Sequence, residues 1–411
     1  MDPEAQKKSG FFSKIPRKLK WLIVALVFNN IAIGYLLVYL TAFFPELGIS
    51  AGVVGLLLGL EGAMVLLSIP LGILSDRRGR KKLLLIGTSL VPLPIILIAL
   101  TVNIAILVVA AIILGIAESA ALSTWNAIIA DQTSLENRDA SFSLSFILGN
   151  GAIAFGFLLP TLIPTLRSLT GLDSIIIHQD LLVLMGLVSA ITPLWLFSIL
   201  KGYKETPNPT KLIRGKNFPT LLKCSGINSL IGLGAGFIIP LIPTWLFLKF
   251  GTPDTFSGPL LSLSNLTIAL AAIASPRISS RFGLLKAIVA TQGFSTVFML
   301  TLAFAPDVRL AGGLYIIRAA LMNMSGPLGD SYLMGIMSQD ERGLASSINT
   351  VVWRIPNSIT TVIGGLILAT GRFDIPFYLA TVFYVISITL FYSVQEYSTS
   401  ELVDVRREAS F

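Results

Sequence analysis

The chain has 411 residues, 54% of them hydrophobic and 13% charged, with a formal net charge of +8 and a mean hydropathy of +0.81. A soluble domain carries about 25% charged residues, so a single globular core with a solvated surface is excluded. The lone cysteine, Cys224, excludes an internal disulfide and reads as a small packed hydrophobe.

The first twenty residues carry Lys7, Lys8, Lys14, Arg17, Lys18 and Lys20. The apolar segment that follows, 21–44, is long and holds Asn29, Asn30 and Tyr35. It reads as a retained first membrane helix, not a short signal-peptide core. Further apolar runs follow at 52–74, 83–102, 104–129, 140–166, 181–200, 219–248, 256–276, 286–305, 310–335, 344–369 and 375–394. Each is near or above the ~20 residues that cross the hydrocarbon, whereas strands average about 5 or 6. The runs are continuous and do not alternate, so they are helices and not barrel strands. The fold class expected is an all-α integral membrane protein with twelve transmembrane helices.

With the N-terminus placed inside, 24 Lys and Arg fall on the inner side. Only Arg167, Lys249, Arg309 and Arg372 fall on the outer side, and Arg318 and Arg354 lie within helices. This asymmetry follows the positive-inside rule, with both termini cytoplasmic. The basic excess thus faces an anionic lipid surface and is no nucleic-acid patch.

The polar stretch 201–218, "KGYKETPNPTKLIRGKNF", separates six helices from six. The expected division is a tail over 1–20, a six-helix half over 21–200, a linker over 201–218, a second half over 219–394 and a tail over 395–411. The halves read as copies. "SDRRGRKKLL" after helix 2 is matched by "SSRFGLLKAI" after helix 8, and Gly79 and Gly283 are 204 residues apart. "SLENRDASFS" after helix 4 is matched by "SQDERGLASS" after helix 10, and Arg138 and Arg342 are again 204 apart. Two motif pairs with one offset point to a transporter of two parallel repeats.

These residues resemble the major facilitator superfamily. "GILSDRRGRKK" is similar to the signature of that family's second loop through Gly72, Asp76, Arg77, Gly79 and Arg80. "ADQTSLENRDAS" resembles the loop after helix 4, through Asp131 and Arg138, and "DERGLASS" with Arg342 is its second-half counterpart. The second-half loop departs from the pattern, with Ser280 in place of the acid and Pro276 in place of the first glycine. The glycine-rich run on helix 5 has Phe157 where the proton-antiporter signature has proline. The resemblance implies a pseudo-repeated fold moving a solute by alternating access. It implies that helices 1, 4, 7 and 10 line a cavity, that 2, 5, 8 and 11 join the halves, and that 3, 6, 9 and 12 face lipid. Asp76 is expected to dock at the start of helix 11 near 344–347, where a helix N-terminus carries about +0.5 of a charge.

Ionisable groups at the bilayer centre cost roughly 2.5–3.5 kcal/mol each and call for a partner or a function. Five are apparent: Glu61, Glu118, Arg318, Asp330 and Arg354. By helical rise, Glu61 lies about 22 Å from Asp76 and Arg354 about 18 Å from Arg342. Both therefore reach mid-depth; the resemblance, in which helices 2 and 11 touch, implies a pair that forms and breaks between halves, with a static pair or two groups that each face water in the cavity as the alternatives. Glu118 shares a helical face with Trp125 and suits a proton or a cationic substrate, or a pairing with Arg318. Arg318 suits an anionic substrate. Asn126, Asn323, Asn30 and Asn228 are candidate hydrogen-bonding groups of the cavity, with interhelix bonding as the alternative. Asp330 reads as an inner gate residue, and "SGP" at 325–327 as a bend in helix 10. His178 reads as a surface residue of the outer loop before helix 6.

No zinc spacing, catalytic triad or phosphate loop is visible. "GLGAG" at 232–236 lies within a membrane helix without a strand before it. The chain is thus read as no enzyme, with no cofactor and no metal. Its expected partners are a small-molecule substrate, the lipid bilayer and, in a coupled mechanism, protons, with the monomer as working unit in the plasma membrane. The leading expectation is proton-coupled transport with a slight lean to efflux. Uptake of a polar metabolite is the alternative, and a non-transporting sensor of the same fold a remote one.

Overall fold

A computed structural model describes the backbone of residues 12–134, 136–203, 218–336 and 342–408. The central linker lies almost wholly outside the described residues. Among them there are twelve helical rods and no strand. We label them α1 (Arg17–Glu46), α2 (Ala51–Arg78), α3 (Arg80–Leu100), α4 (Ile104–Asp131), α5 (Ala140–Thr170), α6 (Ser174–Ile199) and α7 (Phe218–Phe250). They continue with α8 (Asp254–Phe282), α9 (Leu284–Ala303), α10 (Val308–Ile336), α11 (Arg342–Ala369) and α12 (Ile375–Glu408). Ten of these are long and apolar enough to cross a membrane by length and composition. The protein is a multi-pass membrane protein of twelve helices in two pseudo-repeated halves.

Several rods are interrupted, and the interruptions have local causes. A 3-10 turn at Leu159–Leu162 in α5 contains Pro160, and one at Ile239–Leu241 in α7 contains Pro240. Proline lacks the N–H that the helical ladder needs. A π turn occupies Tyr39–Phe43 of α1, and a 3-10 turn Met64–Leu67 of α2. By contrast, α10 is helical straight through Gly326 and Pro327.

One boundary corrects the sequence reading. Asp173 caps α6, its Oδ1 accepting the Ile175 N–H at 3.0 Å. The helix therefore begins at Ser174, seven residues before the expected start. His178 falls in its second turn and is 1% exposed, a buried residue instead of a surface one.

The two inner turns repeat as the sequence offset implies. Gly79 between α2 and α3 has φ 106° and Gly283 between α8 and α9 has φ 82°. Both lie in a region essentially confined to glycine, where a side chain costs about 1–3 kcal/mol.

Contacts divide the chain into two units. The first comprises Met1–Phe43, Met64–Lys211 and Asp254–Ser262, the second Phe44–Ala63, Leu212–Pro253 and Leu263–Phe411. Each unit thus includes a short length of the other sequence half. In the first, Leu19, Leu22, Leu84, Ile128 and Leu196 form a buried core among α1, α3, α4 and α6. In the second, α2 packs on α11 through glycine. A Cβ on Gly55 would lie 2.6 Å from the Thr361 carbonyl oxygen and 3.0 Å from the Gly365 Cα. Small residues permit such backbone approach where lipid supplies no hydrophobic drive. Large apolar side chains stay exposed on α3 (Leu93, Leu100), α6 (Leu194, Phe197), α9 (Phe294, Val297) and α12 (Val382, Val385). These are faces suited to lipid.

Candidate functional site

The second unit contains a cavity of about 430 Å³. It is lined by Cys224, Asn228 and Ile231 of α7, Gln292 of α9, and Met322, Asn323 and Ser325 of α10. Asn349, Thr350, Trp353 and Arg354 of α11, with Ser387 and Phe391 of α12, complete the wall. Its size falls in the range of small-molecule sites, about 300–1,000 Å³.

The lining is amphipathic. Asn228 Nδ2 donates to Asn349 Oδ1 at 3.1 Å, which joins α7 to α11. Gln292 Nε2 donates to Ser325 Oγ at 3.2 Å, which joins α9 to α10. Asn323 donates to the Ala319 carbonyl of its own helix at 2.8 Å. Each amide keeps an oxygen or a second N–H for other bonds. Trp353 and Phe391 give the cavity aromatic surface.

Arg354 is the lining's cation. Its Nη2 lies 3.4 Å from Glu61 Oε1, and the two side chains are 42% and 18% exposed. Tight charge-assisted bonds run to about 2.7–2.9 Å. The contact with Glu61 is longer than that range. Glu61 sits one turn before the 3-10 interruption of α2, on the stretch that belongs to the second unit. The two residues are 293 apart in sequence, and the structure brings them together.

Arg318 is placed differently from a cavity cation. It is 4% exposed, does not line the cavity, and donates to the Tyr384 hydroxyl of α12. Its ring contact with Tyr384 is cation–π in type, at 5.6 Å. Gln292 and Asn349 were missed in the sequence. The resemblance assigned their helices to lipid and to contacts between halves, and only Gln292's proximity to Ser325 reveals an inward face.

In the first unit, Glu118 is half-buried on α4. Trp125 donates from Nε1 to Ser145 Oγ at 3.0 Å and packs on the core near Leu19. Asn126 is exposed, and Asn30 is half-buried facing Gly149 of α5. At the loop end, Arg80 joins three elements. Its Nε and Nη2 donate to Asp76 Oδ1 at 3.0 and 2.9 Å, and its Nη1 to Asp131 Oδ2 at 2.7 Å. Tyr203, just after α6, donates to the same Asp131 oxygen at 2.7 Å. The cluster ties the ends of α2, α4 and α6. Gly72 lies against Ser123 of α4 at 3.8 Å from its virtual Cβ. Arg77 is exposed, and Arg138 is exposed with a 3.4 Å bond to Thr133. The side chains of Asp330 and Arg342 lie outside the described residues.

Membrane-spanning helices in two repeats, with an amphipathic cavity within one unit, are the parts of a membrane transport protein. The sequence profile of the Major Facilitator Superfamily matches residues 22–226 and again 224–410. The chain belongs to this family of transporters. No curated protein matches it by sequence. Among solved structures it is similar to the nucleoside transporter NupG, with a TM-score of 0.68 at 15% identity over 92% of this chain and 99% of that one. It is similar to a bacterial homolog of the human lysosomal transporter Spinster, with a TM-score of 0.72 at 16% identity over 92% and 96%. A POT family peptide transporter gives a TM-score of 0.72 at 12% identity over 91% and 96%. At such identities the likeness is one of fold.

Proposed function

We propose that this transporter carries a small polar solute across the plasma membrane by alternating access, coupled to protons. The observation that supports this reading is the cavity of about 430 Å³ with Arg354, Asn228, Asn349 and Gln292 on its wall. One cation beside several amides suits a solute with a carboxylate or carbonyl group and further hydrogen-bonding atoms. Trp353 and Phe391 suit its apolar portion.

Arg354, which lines the cavity and contacts Glu61 at 3.4 Å, is central to the mechanism. A solute oxygen takes the place of Glu61 at the guanidinium, and Glu61, released from its cation, takes up a proton. Glu118 is a second proton carrier in this reading. The 3-10 turn at Met64–Leu67 serves as a hinge in α2, a role such turns often have. The Arg80 cluster holds the inner ends of α2, α4 and α6 as one gate element; Asp330 and Arg342 are assigned a gating role from the sequence alone. The Lys and Arg asymmetry supports cytoplasmic termini, and the monomer is the transporting unit.

Efflux of amphipathic compounds is a second reading, favoured by Met322, Leu333 and Phe391 in the cavity wall. A thermal-shift panel of carboxylates, zwitterions, nucleosides and lipophilic cations tests the choice. Stabilisation by a polar solute, followed by flux in proteoliposomes that responds to a proton gradient, is the expected result. Stabilisation by lipophilic cations alone would favour the second reading, and gradient-independent flux would remove the proton.

A further inference from the structure

His178 has an oxygen at each ring nitrogen. The Tyr35 hydroxyl of α1 lies 3.0 Å from Nδ1 and 3.4 Å from the carbonyl oxygen of His178 itself. Nε2 lies 3.5 Å from Oδ2 of Asp254, the first residue of α8. Phe43 stacks on the imidazole at a centroid distance of 3.8 Å, and Tyr39 meets it edge-on at 6.4 Å. Tyr35, Tyr39, Phe43, His178 and Asp254 are all buried, at most 3% exposed. The titratable groups shown against the imidazole are therefore Tyr35 and Tyr39 from α1 and Asp254 from α8. All belong to the first unit.

Buried polar groups find hydrogen-bond partners whatever their role; what marks this histidine is a hydroxyl at one ring nitrogen and a buried carboxylate near the other. One small movement serves two protonation states at Nδ1. In the neutral state the Tyr35 hydroxyl donates to Nδ1, and the Asp254 Oδ2 stands 3.5 Å from Nε2, with no hydrogen bond to that oxygen among the described residues. When Nδ1 gains a proton it becomes a donor, and the Tyr35 oxygen accepts from it. The Tyr35 hydroxyl hydrogen then turns to the His178 carbonyl oxygen. The new Nδ1–H and the hydroxyl hydrogen thus each keep an acceptor, the condition under which a new N–H can be buried. The new positive charge is formed beside a carboxylate, so the pair as a whole becomes neutral.

We propose that Tyr35, His178 and Asp254 form a reversible proton-binding site, taking one proton from water onto Nδ1 and breaking no covalent bond. The loaded site joins α6 to the first turn of α8 through an imidazolium–carboxylate pair. The empty site joins them through a neutral imidazole alone. Proton occupancy therefore sets how firmly the start of α8 is held, independently of which solute fills the cavity.

His178 is the one histidine in the chain. Protein labelled with ¹⁵N-histidine and reconstituted in nanodiscs therefore gives a single imidazole spin system. Lowering the pH from about 8 to about 3 spans the usual range of histidine titration and a fall of several units below it. The expected result is passage from one pyridine-type and one pyrrole-type nitrogen to two pyrrole-type nitrogens, with the fold intact. Asp254→Asn removes the passage from this window, and Tyr35→Phe displaces its midpoint by about one pH unit. A wild-type imidazole that stays neutral throughout would overturn the proposal without recourse to any variant. So would an unaltered titration in Asp254→Asn.

Discussion

The inner turn of the first repeat and that of the second share a backbone and differ in chemistry. Gly79 and Gly283 both stand at positive φ at the same place in their repeats. Around Gly79, Arg80 gathers Asp76, Asp131 and, through Asp131, Tyr203. At Gly283 the corresponding acid is Ser280, which donates to the Arg277 carbonyl of its own helix at 3.0 Å. The difference teaches that repetition preserved the path of the chain, while the ionic contacts were specialised. The cavity shows the same division, with its described wall in the second unit and the histidine cluster in the first.

The sharpest break of this comparison is in the second unit. Arg354→Gln removes the only cation among the described wall residues, and solute flux is expected to fall tenfold or more, since a hydrogen bond to a charged group contributes about 1.5–3 kcal/mol. Combining Glu61→Arg with Arg354→Glu should recover part of that flux, as measured in proteoliposomes. Absence of any recovery would separate the two residues functionally.

Next in size is the α2–α11 contact. Gly55→Val drives a side chain into the Thr361 and Gly365 backbone, with an expected loss of about 1–3 kcal/mol from overpacking. A lower thermal midpoint of the purified protein checks it. The two turns follow. Gly79→Ala and Gly283→Ala should cost alike, about 1–3 kcal/mol, whereas Asp76→Asn should alter transport and Ser280→Ala should not. Equal transport phenotypes of these last two would erase the contrast between the repeats. The smallest effect is expected from Asn228→Ala, which forfeits one hydrogen bond to Asn349. It should weaken solute binding by about fivefold, the equivalent of roughly 1 kcal/mol.

Much of the architecture was legible in the sequence because membrane helices announce themselves by length and hydropathy. The offset of 204 residues exposed the repeat through Gly79 and Gly283. The contact of Glu61 with Arg354 was legible from helical rise together with the resemblance, which brings helices 2 and 11 together. What could not be read depended on partners distant in sequence. Arg318 turns to Tyr384, 66 residues away, and no periodicity carries that information. Gln292 reaches Ser325 from a helix otherwise suited to lipid. His178 was misplaced because "DSIIIHQD" is polar enough to pass for loop, while Asp173 is in fact a helix cap. The signal was present there, in an acid two residues ahead of an apolar triplet, and it outweighs the loss of hydropathy.

Counterflow in proteoliposomes tests the central claim most directly. Vesicles preloaded with the solute that most stabilises the protein are diluted into a trace of the same labelled solute. The account predicts transient accumulation of label with the native chain and at least a tenfold loss with Arg354→Gln in a protein of unchanged fold. Equal accumulation by both proteins would contradict a transport path through the Arg354 cavity.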